Sequence, residues 1–233
     1  MQLSVKDAAA FLNVPEDTIY KWVKQEEIPS YMINEQVRFN RSELLEWATA
    51  RNIQVSPDLF AAGETGKIPV PALADALTEG GVAYRVGGSD QASVLRAVVD
   101  VLKLPEEMDR DFLYQILLAR ESLGSTGVGD GIAIPHVRNP VVLHVAKPTV
   151  TLCFLETPID FHAVDGKPVN ILFTLISPTV KAHLHLLSRL GFVLLTPKVK
   201  AALKRQAPQE ELMRLIISAE LAINPSSGGS GAK

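Results

Sequence analysis

The sequence holds a single cysteine, Cys153, among its 233 residues. An intramolecular disulfide framework is therefore excluded, and the chain suits a reducing compartment such as the cytoplasm. Cys153 lies inside the apolar run Val150 to Leu155 and reads as a small buried hydrophobe, not a reactive thiol. A large excess of one charge is also missing. The chain has 23 Lys and Arg against 26 Asp and Glu, a net −3. No global positive excess advertises nucleic acid, so any DNA contact must come from a local patch. No apolar stretch approaches the roughly 20 residues that span a bilayer. The N-terminal Met-Gln-Leu-Ser-Val-Lys-Asp lacks the apolar core of a secretion signal. Membrane insertion is not expected. What is present is the balance of a folded protein, 47% hydrophobic and 21% charged, in a length that suits one small and one medium domain.

Breaks in the pattern divide the chain. Pro57, Gly63 and Gly66 interrupt residues 56–67, which read as a linker. Residues 223–233, rich in Ser and Gly, read as a flexible tail. Residues 1–55 are mostly short helices. Ser4 can cap one carrying Ala8, Ala9, Phe11 and Leu12, and Pro15 precedes a second through Val23. Tyr31 to Phe39 reads as a hairpin around Asn34-Glu35. Ser42 can cap a last helix, with Leu44, Leu45 and Trp47 inward and Glu43 and Glu46 near its positive end. In residues 68–222, helical spacing at 92–104, 109–123, 179–195 and 208–221 alternates with apolar runs at Thr149 to Leu155 and Val169 to Ile176. Those runs suit strands buried on both faces, so the class is α/β: a β-sheet flanked by helices.

The most informative stretch runs from Gly124 to Arg138. Four glycines within residues 124–131 imply tight turns or close backbone approach. Ile132 to Ile134 is a short apolar strand, and Pro135 ends its pairing. His136 therefore sits at a strand end, where a side chain can project into a cleft. No Gly-Lys-Ser/Thr follows the glycines, and they follow a helix, so neither a P-loop nor a dinucleotide fingerprint fits. On the residues alone, a surface turn with a hydrogen-bonded histidine is an equal reading.

Arg120-Glu121, then Gly-Ser-Thr-Gly-Val-Gly, then Gly-Ile-Ala-Ile-Pro-His resembles the active-site signature of the enzyme IIA domain of the phosphoenolpyruvate-dependent phosphotransferase system. The likeness is to the fructose/mannitol type and its nitrogen-regulatory branch. It extends over about residues 68–220, including Glu156-Thr-Pro-Ile and Ala182-His-Leu-His-Leu-Leu. It implies a mixed sheet flanked by helices and phosphorylation of His136 by a small histidine phosphocarrier. A neutral imidazole is nucleophilic near neutral pH, and transfer needs positioning and charge neutralisation. The resemblance gives Arg120 the task of holding phosphoryl oxygens, against a surface ion pair with Glu121 or Asp111. It makes His183 a hydrogen-bond donor at the site, against a plain helix-face histidine. Ser125 and Thr126 could offer hydroxyls to the phosphate or stabilise the turn. The likeness departs after the histidine, where the family commonly has glycine and this chain has Val137 and Arg138. A β-branched residue there restricts the backbone and bears on transfer rate or partner choice. His183 and His185, two apart on a helix, point about 200° from each other and do not suit a shared metal. His144 and His162 have no motif around them. No metal and no other cofactor is expected.

Residues 3–23, with Ile28-Pro-Ser and Val37-Arg-Phe-Asn-Arg-Ser-Glu-Leu-Leu-Glu-Trp, resemble an excisionase-like or MerR-like winged helix-turn-helix. The resemblance puts the helix from Glu16 in the DNA major groove, with Thr18, Tyr20, Lys21 and Lys24 as candidate contacts, Arg38 and Arg41 near the wing, and Trp22 in the core. Residues 1–57 carry six Lys or Arg and eight Asp or Glu, so a monomer should bind DNA weakly unless a homodimer or a locally basic face compensates. The leading expectation is a regulatory phosphoryl carrier linking His136 to DNA or to a regulatory protein target. A DNA-binding transcription factor with a degenerate sensor, and a sugar-transport component feeding an enzyme IIB domain, are the alternatives.

Overall fold

The computed structural model describes residues 2–33, 36–51, 53, 55, 72–137, 140–143 and 145–222. The expected linker, the expected tail, Glu35, Arg138 and His144 lie outside the described residues.

The front part runs β1 (Gln2–Leu3), α1 (Val5–Leu12), α2 (Glu16–Lys24), β2 (Tyr31–Ile33), β3 (Gln36–Asn40) and α3 (Arg41–Ala50). Ser4 caps α1 in a reciprocal box with Asp7, satisfying donors that a helix start otherwise leaves orphaned. Asn13 ends it in the left-handed conformation that Asn tolerates. Pro15 sets the extended backbone from which α2 starts. Strands β2 and β3 form the hairpin, and β1 adds to its other edge in the antiparallel order β1-β3-β2. Helix α3 starts at Arg41, so Ser42 falls inside its first turn instead of before it. Leu44, Leu45 and Ala48 are fully buried against Phe11, Leu12, Ile19 and Phe39. Each such large apolar side chain contributes roughly 1.5–3 kcal/mol.

The second part runs α4 (Leu73–Gly80), β4 (Val82–Val86), α5 (Gln91–Val101), α6 (Arg110–Ser122), β5 (Gly127–Gly129), β6 (Ile132–Ala133), β7 (Thr149–Ile159), β8 (Val169–Ile176), α7 (Val180–Leu194), α8 (Pro197–Lys204) and α9 (Gln209–Leu221). The strands form one mixed sheet in the order β4-β7-β8-β6-β5. Pairs β4/β7 and β6/β8 are parallel, and β7/β8 and β5/β6 are antiparallel. Alternation along the central strands serves two cores. Val150, Leu152, Phe154, Ile171, Phe173 and Leu175 face α4, α7 and α9. Cys153, Leu155, Val169, Leu172 and Ile176 face α5 and α6. Both faces are covered, as the continuous apolar runs require. Burial pushes the Cys153 thiol up to about 12, which keeps it an inert hydrophobe.

Helices α4 and α8 and strand β4 go beyond the sequence reading. Leu73, Ala76, Leu77 and Gly80 do have helical spacing, but over eight residues, too short to stand out. Strand β4 is a short edge strand that buries only Val86 and exposes Tyr84 and Arg85, paired only to β7. No helix among the described residues is long and apolar enough to cross a membrane.

Candidate functional site

His136 lies just past β6, on a segment pinned from both sides. Ile134 N–H donates to the Thr126 carbonyl (3.0 Å), and the Pro135 carbonyl accepts from Leu175 N–H of β8 (3.0 Å). Gly127 leaves no room for a side chain, because a Cβ there would stand 2.8 Å from the Ala163 Cα. The turn between β5 and β6 has positive φ at Gly129, Asp130 and Gly131, which glycine takes at little steric cost. Asp130 is tied down by Lys200 at 2.6 Å. In the extended segment, neighbouring side chains point opposite ways. Val137 is fully buried in the α5/α6 core, and His136 turns the other way, toward α7.

The imidazole is 3% exposed. Its Nδ1 stands 2.6 Å from the Ile134 carbonyl oxygen. That contact is favourable only if Nδ1 carries a proton and donates it, which leaves Nε2 as the ring nitrogen that faces the pocket. The His183 ring, from the start of α7, lies 5.2 Å away between centroids. Burial, with the nearby His136 second, pulls His183 down to about 3, so it is neutral at ordinary pH. Its Nδ1 is buried without a hydrogen-bond partner.

Arg120 comes from the last turn of α6, where a cation suits the helix end. Its guanidinium donates to the Gly124 carbonyl at 2.8 Å and to Glu46 Oε2 at 2.7 Å. Glu46 belongs to α3 of the front part. Its other oxygen, Oε1, stands 3.3 Å from His136 Nε2, a contact that attracts only with a proton on Nε2 as well. The Arg120 and Glu46 side chains are only 10% and 13% exposed. Burial pushes the Glu46 carboxyl up, but His136 and Arg120 together outweigh it and hold it at about 2. Helix α3 packs on α7 and β5, with Thr49 against Gly191. A cleft of about 260 Å³ opens beside Arg120, lined by Pro29, Glu43, Trp47 and Leu123 among others.

Residues 76–219 match the family model of the phosphoenolpyruvate-dependent sugar phosphotransferase system, EIIA 2. The chain belongs to this family. Residues 3–52 of this EIIA protein also match a helix-turn-helix domain model. It is 34% identical to a nitrogen regulatory protein of Pseudomonas aeruginosa over 152 residues, covering 64% of this chain and 96% of that one. Over 121 residues it is 36% identical to the nitrogen regulatory protein of Escherichia coli K12, covering 51% of this chain and 71% of that one. The crystal structure of nitrogen regulatory protein IIA-Ntr from Neisseria meningitidis superposes with a TM-score of 0.52 at 26% identity, over 63% of this chain and 96% of that one. The chain is thus an EIIA protein with nitrogen-regulatory relatives and a helix-turn-helix in front.

In this EIIA protein, His136, Arg120 and His183 line one buried site. Ser125 lines the cleft and Thr126 is buried, both with their hydroxyl protons committed: Ser125 donates to the Phe161 carbonyl, and Thr126 donates to buried Glu121 at 2.6 Å. Glu121 and Asp111 do not pair with Arg120, since Glu121 serves Thr126 and Asp111 pairs with Arg96. His185 is half-buried, and burial lowers it to about 4. His162 is exposed and paired with Asp160. No group of His, Cys, Asp or Glu among the described residues could hold a metal.

The DNA candidates stand apart from this site. Tyr20, Lys21 and Lys24 form an exposed face of α2, with Thr18 half-buried beside them. Arg38 donates to the Val37 carbonyl and to Gln36 within the hairpin. The Arg41 guanidinium sits 5.8 Å from the Phe11 ring. Trp22 packs edge-on to Trp47, part of the front core.

Sequence reasoning missed Glu46. It read this residue as a carboxylate favouring a helix start, yet Glu46 sits in the second turn of α3. It lies about 200° around the helix from Leu44. That polar face resembles a solvated face in any small domain, and only the neighbour packed on it shows otherwise.

Proposed function

We propose that this protein is a regulatory phosphoryl carrier that accepts a phosphoryl group on His136 Nε2 from a histidine phosphocarrier and couples the modification to what its front module binds. One observation carries the reading: the Ile134 carbonyl holds the proton on Nδ1 and so presents Nε2, in the pocket that also holds the Arg120 guanidinium. Arg120 would neutralise phosphoryl oxygens, and neutral His183 would offer a hydrogen bond. The nitrogen-regulatory relatives favour regulation over sugar transport. The division is a helix-turn-helix over 1–55, a linker over 56–67 and the carrier over 68–222. A cytoplasmic location fits the carrier role.

The test is incubation of the full chain with radiolabelled phosphoenolpyruvate and the upstream carriers. Acid-labile phosphate should appear on wild type and be absent from His136→Ala. Equal labelling of both would end the reading. A second function, DNA binding, rests on the exposed Tyr20, Lys21 and Lys24 of α2, with a homodimer supplying the affinity that one acidic module lacks.

A further inference from the structure

The site is closed by the chain's own front module. A donor protein must bring its phosphohistidine against Nε2, yet that imidazole is 3% exposed. Helix α3 lies over the site, packed on α7, the helix that carries His183. Glu46 Oε1 stands 3.3 Å from Nε2, within the roughly 3–3.5 Å that an attacked atom takes up before reaction. Its Oε2 takes the Arg120 donor at 2.7 Å. One carboxylate therefore fills both places that a phosphoryl group needs, next to the nucleophile and on the guanidinium.

We propose that the face around His136 is a docking surface for α3 of the same chain, anchored by Glu46 as a stand-in for the phosphoryl group, and that docking and phosphorylation exclude each other. This rests on the reading of His136 as the acceptor. Transfer requires α3 to leave. As Glu46 withdraws, the proton shared between Nε2 and its carboxylate passes to solvent, and the Nε2 lone pair forms a P–N bond while the P–N bond to the donor's imidazole breaks and the donor nitrogen keeps that electron pair. The exchange is between two imidazoles, so no further reactant is needed. The other ring proton stays on Nδ1, donated to the Ile134 carbonyl. Once in place, the phosphoryl dianion holds Arg120 and repels the Glu46 carboxylate, so the front module stays undocked. Tyr20, at 54% exposed, and the rest of the exposed α2 face lie on the undocking body. Phosphorylation thus changes where that face is carried instead of covering or uncovering it.

The experiment follows labelling from phosphoenolpyruvate through the upstream carriers in full-length wild type, Glu46→Gln and Glu46→Ala. It adds hydrogen exchange over residues 41–50 before and after labelling. Glu46→Gln keeps the shape and removes the charge. Both variants should label about tenfold faster than wild type, a modest effect for a buried charge pair. Labelled wild type should lose protection over residues 41–50. Equal rates with unchanged protection would overturn the docking proposal and leave His136 as the acceptor. No label on any of the three chains would remove the acceptor reading, and the docking proposal with it.

Discussion

Helices α2 and α3 belong to one small module and are used in opposite ways. Helix α2 buries only Ile19 fully and turns Tyr20, Lys21 and Lys24 to solvent. Helix α3 is clasped on two sides, by Leu44, Leu45 and Ala48 in its own core and by Glu46 and Thr49 against the carrier. The exposed helix has the residues that a reader of sequences notices. The covered helix has the side chain that reaches His136 and Arg120. The difference teaches that a recognition surface can be judged from its own element, whereas a docking surface is defined by its neighbour.

The contrast can be tested at its inward end first. In a Glu46→Gln background, where the docking charge is gone, Arg120→Ala should cut phosphoryl labelling by about 10²-fold, the usual cost of losing one preorganised charge-stabilising donor. Unchanged labelling would mean that Arg120 serves only Glu46.

Acid should act on the same end. Glu46 is held at about 2 against an ordinary 4.5, so its contribution is complete above about 4.5 and is lost as pH falls toward 2. His183 is pulled down to about 3 from 6.5, so the unfolded chain takes up its proton first. Stability therefore falls as pH drops from about 6.5 toward 3. The slope from His183 is at most one proton's worth, on the order of 1 kcal/mol per pH unit. Denaturant titrations should show the slope in wild type and a flatter profile between pH 6.5 and 4.5 in His183→Gln. An identical slope would place the protonation elsewhere.

The outward end should give the smallest effect. In selections against genomic fragments, Lys21→Ala and Lys24→Ala should each weaken binding similarly across sequences and reduce the salt slope by about 1. A slope that does not change would take α2 off the DNA backbone.

Much of this was legible in the sequence for definite reasons. The apolar runs at 149–155 and 169–176 announced strands covered on both faces, and β7 and β8 are the centre of the sheet. The glycine loop before Pro135-His136 announced close backbone approach, which Gly127 makes against Ala163. Arg120 and His183 were read from a signature, and the fold brings both to the histidine's pocket. Strand order was not legible, because pairing depends on contacts between distant segments. Neither was Glu46, 74 residues from Arg120, since helical periodicity says which face is polar but not what lies against it.

Val137 sharpens the same lesson from behind the histidine. Its side chain is fully enclosed among the α5 and α6 residues, and it follows His136 directly in an extended segment. A smaller residue there would leave a void in that core beside the histidine's backbone. With the valine seated, the segment that carries the imidazole is anchored on the far side of the sheet, in a core that holds no residue of the front module. The histidine's mount and its cover are therefore built from different layers of the protein.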